Sequence, residues 1–162
     1  MIHTARLGLF WGLGHSASLL GAGALLTLCG LTLPRGAGSA VNVAVAAMLL
    51  AVGARGLLSP RAAAKPRAGL EALAVGLVHG LGGSAALTLM LVPTLEGPKE
   101  VLAYLAAFGA GSIAGMVAVT LAVGVSLRET SRRSPGVTRW LSRAACSTSI
   151  AAGLLTLVRS FD

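Results

Sequence analysis

The sequence predicts an all-α fold, a polytopic transmembrane helix bundle of about five spans. Three observations predict it: a composition too apolar for water, five long apolar segments, and basic residues gathered into alternate gaps. Hydrophobic residues make up 55% of the 162 and charged ones 11%, with a mean hydropathy of +0.83. An average soluble domain is about 25% charged because its surface must satisfy water. This chain cannot supply such a shell, and lipid removes the need for one. The 22 glycines point the same way. In a soluble helix each interior Gly costs roughly 1 kcal/mol against Ala, whereas in lipid small residues let helices pack closely where no hydrophobic force drives them together.

The first apolar segment, residues 7–30, follows Arg6 and is too long for the 7–15-residue apolar core of a signal peptide. The second, 38–58, lies between Pro34-Arg35-Gly36 and Ser59-Pro60-Arg61. Lys65-Pro66-Arg67 opens the third, 69–92, and Glu96-Gly97-Pro98-Lys99 closes it. The fourth, 101–127, runs up to a basic stretch from Arg128 to Arg139, and the fifth, 141–158, ends before Arg159. Each approaches or exceeds the about 20 residues that cross a hydrocarbon core, and Pro, Gly and charge mark the breaks. Residues 1–162 read as a single transmembrane domain.

With five spans, the N-terminus and the second and fourth gaps share one side. Ten Lys/Arg residues fall there, from Arg6 through Arg55–Arg67 to Arg128–Arg143, and only Arg35, Lys99 and Arg159 fall opposite. Basic excess marks the cytoplasmic face, so the N-terminus is expected inside and the C-terminus outside a plasma (inner) membrane of bacterial type. The net charge of +8 is thereby a topology signal. No basic helix face with stacking aromatics accompanies it, and no nucleic-acid partner is expected. Trp11 and Trp140 lie near the basic ends of spans, as interfacial anchors or as packed aromatics. Cys29 and Cys146 sit near opposite ends of their spans with no metal or redox spacing, and read as packing residues.

Ionisable groups at membrane depth are costly and tend to be functional. His15, in Gly12-Leu13-Gly14-His15-Ser16, and His79, in Gly76-Leu77-Val78-His79-Gly80, are the two that qualify. Each follows the basic end of its span by eight to ten residues, which places both at similar depth near the midplane. Two imidazoles there could converge on a borderline dication such as Ni²⁺, Co²⁺ or Zn²⁺; alternatively each bonds a neighbouring carbonyl or hydroxyl. Ser16 and Ser84 neighbour the histidines and are the hydroxyl candidates for the same site. The other span hydroxyls, Ser18, Thr88, Ser112 and Thr120, are expected to bond carbonyls of their own helices. No Asp or Glu falls at mid-depth, and Glu71 lies near a span end, which disfavours a proton relay or Na⁺ site. Gly111-Ser112-Ile113-Ala114-Gly115 is a small-xxx-small pattern that reads as helix packing, and Met116 as filler. Phe10–Ser16 is echoed by Phe108–Ser112 on a span of opposite direction, which suggests an inverted repeat.

Three of these stretches resemble a known family. Trp11-Gly12-Leu13-Gly14-His15-Ser16 is similar to the Gly-His-Ser/Thr motif of the nickel/cobalt transporter superfamily. The stretches Gly76 to Leu87 and Phe108 to Met116 resemble segments of its UreH-like, urease-accessory branch, in the family's order. The resemblance implies a permease-like membrane protein for Ni²⁺ or Co²⁺ that supports maturation of a nickel enzyme. His15 and His79 would be metal ligands supported by Ser16 and Ser84. No resident cofactor is implied, because the metal ion is cargo. Family members also carry an earlier span with a His-x4-Asp-His type motif. The sequence starts just before the Gly-His-Ser span, so the expectation is a shortened chain, a misplaced start or a lost primary metal site.

The partners expected are therefore the lipid bilayer and a transition-metal ion. The rival to a permease is a non-transporting membrane subunit that assembles with another protein or with further copies of itself. No triad, carboxylate pair or phosphate loop is visible, so no enzyme is expected.

Overall fold

A computed structural model of the chain describes residues 2–28, 37–58, 68–91, 94–95 and 97–161, the side chains of 26–28, 37 and 83–91 excepted. These residues form five α-helices and contain no strand: α1 (Ile2–Leu28), α2 (Ala37–Leu58), α3 (Ala68–Leu91), α4 (Pro98–Arg133) and α5 (Pro135–Val158). Apolar runs form helices here because a helix satisfies every interior backbone donor and acceptor within the segment, as a lipid surrounding requires. The stretches 38–58, 98–133 and 135–158 are each long and apolar enough to cross a membrane. α1 has the length, at 27 residues, with its hydropathy diluted by His15, Ser16 and Ser18. Large apolar side chains lie outside: Leu102, Val119, Val123 and Leu155 are all exposed, and among the described residues the buried apolar core is limited to Leu19, Ala46, Val101 and Leu105. That inside-out distribution suits a bilayer and confirms an all-α membrane bundle.

The break expected between Arg128 and Arg139 narrows in the structure to one residue. α4 continues to Arg133, α5 starts at Pro135, and only Ser134 intervenes, at φ −149° and ψ 86°. Charge suits water without ending a helix: Arg and Glu are good helix formers, and Arg133 Nε meets Glu129 Oε1 at 2.9 Å one turn away. The turn is made by Pro135, which lacks an N–H and pushes the residue before it out of the α region. α4 starts in the same way, with Pro98 in its first turn and Gly97 extended before it.

Side-chain contacts fix the directions of the helices. On α1 and α4, Gly8 faces Val117, Gly12 faces Ile113 and Ser16 faces Gly109, so partner numbers fall as α1 rises and the pair is antiparallel. On α1 and α3, Phe10 faces Gly69, Trp11 faces Gly76 and His15 faces Gly80, an ascending series that makes the pair parallel. α2 runs antiparallel to α5, through Gly53–Ile150, Leu49–Ser149 and Ala46–Gly153, and antiparallel to α3, through Val45–Gly82 and Arg55–Glu71. The five helices therefore alternate in direction. They pack as a three-helix group, α1, α3 and α4, and a pair, α2 and α5, joined by lighter α2–α3 and α4–α5 contacts.

Candidate metal site in the α1–α3 seam

α1 and α3 approach until backbone meets backbone. A Cβ on Gly14 would collide with the Leu73 carbonyl, and one on Gly76 with the Trp11 carbonyl. Only glycine permits this contact. It places the face of α1 that carries Trp11 and His15, four residues apart, against the face of α3 that carries His79. The imidazoles of His15 and His79 lie 5.8 Å apart between ring centroids and tilt by 39°. Trp11 stands 6.0 Å from His79, at 46°.

The two histidines differ in surroundings. His15 is buried, with 3% of its surface accessible, while His79 is exposed at the edge of the seam. Two imidazoles that share one metal through nitrogens at about 2.0–2.1 Å have centroids separated by about 5–6.5 Å, and the observed spacing falls inside that window. Among the described residues no group of three His, Cys, Asp or Glu converges, so these side chains supply two nitrogen donors and no carboxylate or thiolate.

Ser16 is buried, and its Oγ donates to the Gly109 carbonyl on α4 at 3.0 Å. The hydroxyl thereby joins α1 to α4 on the side away from α3. Ser18 Oγ donates to the His15 carbonyl at 2.8 Å, and Thr120 Oγ1 to the Met116 carbonyl at 2.6 Å, within their own helices as expected. Ser84 lies on α3, with its side chain outside the described residues; Cys29 lies outside them altogether. Cys146 is a free thiol packed against Gly56. Gly111 and Gly115, read from the sequence as a packing pattern, would each place a Cβ with nothing described within 4 Å. That face of α4 is open because the α1 contact runs through Gly109 and Ile113 instead.

Trp11 is the site residue that sequence reasoning assigned elsewhere, as an anchor or a packed ring. Its indole Nε1 is buried with no hydrogen-bond partner among the described residues. A signal was present in its spacing, since Trp11 and His15 are one helical turn apart and share a face. Trp140, by contrast, is 68% exposed near the start of α5, as an interfacial ring would be.

Compared with known proteins, the chain is 28% identical over 144 residues to the urease accessory protein UreH of Bacillus sp. (strain TB-90), an alignment that takes in 78% of this chain. The aligned part spans 63% of the length of that relative. No protein-family model matches the chain, and no solved structure matches it.

Proposed function

We propose that the chain, 28% identical over 144 residues to a urease accessory protein UreH, is a UreH-like membrane protein that carries a transition-metal dication, Ni²⁺ or Co²⁺, through the bilayer in support of a nickel enzyme. The observation that carries the proposal is the 5.8 Å pairing of His15 with His79 across two parallel helices. Imidazole is a suitable donor for late first-row dications, and neutral nitrogen pairs select against Mg²⁺ and Ca²⁺, which prefer oxygen. Two side-chain donors hold an ion less firmly than the closed four-ligand shell of a structural site. A transported ion needs that, because it must bind well enough to enter and weakly enough to leave. Ser16 serves the site indirectly, by docking α1 on α4 and so fixing the rotation that presents His15 to α3.

The decisive experiment measures Ni²⁺ and Co²⁺ accumulation in cells that express the full chain. His15→Ala and His79→Ala are each expected to lower accumulation at least tenfold at equal membrane abundance. Accumulation unchanged in both variants removes the ligand assignment.

The exposure of His79 favours a second reading, a membrane subunit that closes its seam against another protein. A polar ring facing acyl chains is unfavourable, and a neighbouring helix would relieve it. Crosslinking from position 79 in native membranes separates the two: a monomer that accumulates metal with no crosslink at this position rejects the subunit reading.

A further inference from the structure

At the basic end of the molecule a cavity of ≈ 250 Å³ opens between the first turn of α1 and the last third of α4. Thr4, Gly124, Arg128 and Arg132 line it, over a floor of Leu121 and Val125. Arg128 and Arg132 are one turn apart on α4 and point the same way, and neither meets a carboxylate within 4 Å among the described residues. Glu129 also lines the cavity, but its Oε1 is engaged by Arg133 Nε at 2.9 Å. α4 is 36 residues long, or about 54 Å, against about 30 Å of hydrocarbon. Its apolar-to-basic boundary, between Val125 and Arg128, falls inside the cavity.

We propose that this cavity binds the phosphate group of an anionic glycerophospholipid, with Arg128, Arg132 and the Thr4 hydroxyl on the phosphate and Leu121 and Val125 against the first methylenes of the acyl chains. Two unpaired guanidinium groups are suited to a phosphate oxygen pair. The apolar floor selects a lipid over a free anion, because a small hydrated phosphate gains nothing from Leu121 and Val125, and the site lies at the level where headgroups gather. The lipid would tie the N-terminal turn of α1, the helix that carries His15, to α4.

The test uses the full chain in detergent, stripped of lipid and titrated with phosphatidylglycerol, phosphatidylcholine or inorganic phosphate, with bound molecules counted by native mass spectrometry. Phosphatidylglycerol is expected to stay bound where phosphatidylcholine does not. R128Q/R132Q is expected to weaken that retention about tenfold or more, and R128K/R132K to restore most of it. R139Q/R143Q removes the same charge from the exposed start of α5 and is expected to leave retention unchanged. Equal losses in the two glutamine pairs would reduce the effect to overall charge and overturn the site, as would full retention in R128Q/R132Q at unchanged melting temperature. Inorganic phosphate bound through the same arginines, with no retained phosphatidylglycerol, would overturn the lipid assignment.

Discussion

His15 is buried in the α1–α3 seam while His79 meets the outside, and this difference sets what each substitution should do. Removing the buried His15 ring deletes a ligand and opens a hole in the α1–α3 seam, so His15→Ala should lower both metal accumulation and the melting temperature in detergent. Removing the exposed His79 ring leaves little void, so His79→Ala should lower accumulation with a melting temperature within a few degrees of the parent. A large drop in melting temperature for His79→Ala with normal accumulation would contradict the assignment. Trp11 offers a direct probe. The chain has two tryptophans, so Trp140→Phe leaves Trp11 as the sole indole, 6.0 Å from His79. Co²⁺ is expected to quench its fluorescence in a saturable way, and His15→Ala/His79→Ala is expected to abolish the saturable part. Quenching that survives loss of both rings would place the metal elsewhere. Ser16→Ala removes one interhelical hydrogen bond and should cost about 0.6 kcal/mol, up to about 1.7, in an unfolding titration in mixed micelles.

Helix approach is the controlling variable at the scale of the element. The ring spacing in the seam depends on backbone contact at Gly14 and Gly76, where a Cβ has no room. Gly76→Val should therefore force α3 away from Trp11, destabilise the bundle by about 1–3 kcal/mol, and separate the imidazoles. Gly115→Val on the open face of α4, where nothing described lies within 4 Å, should leave stability within about 0.5 kcal/mol. The measurement is the same unfolding titration for both variants, and equal effects would refute the packing account. The helices themselves were legible from apolar run length, since a run of that length in lipid has few alternatives to a helix. The extent of α4 was not. The basic stretch from Arg128 to Arg139 contains the turn, at Ser134–Pro135, but charge ends only the lipid-buried part of a helix, and Pro135 decides where α4 itself stops.

The alternating directions of the five helices place the ends of the described chain, Ile2 and Phe161, on opposite sides of the bundle, and the Lys/Arg excess argues for the α1 start in the cytoplasm. Single cysteines introduced at positions 3 and 161, in a Cys29→Ser/Cys146→Ser background, should react with a membrane-impermeant maleimide in intact cells at position 161 only. Labelling at position 3 alone would reverse the orientation, and labelling at both would refute the alternation.

What the sequence determined by itself is the all-α class, its membrane setting, and the pair of histidines at matched depth. These follow from composition and from rise per residue along a helix, which are local quantities. Which histidine is enclosed, that Ser16 turns to α4 and Trp11 to His79, and that Arg128 and Arg132 face a cavity beside Thr4 were decided only by tertiary structure. Depth along a helix is additive over residues, but rotation about its axis is set by its neighbours. In a chain with glycine on many faces, several rotations are open to each helix, and the choice among them is made by interhelical contact.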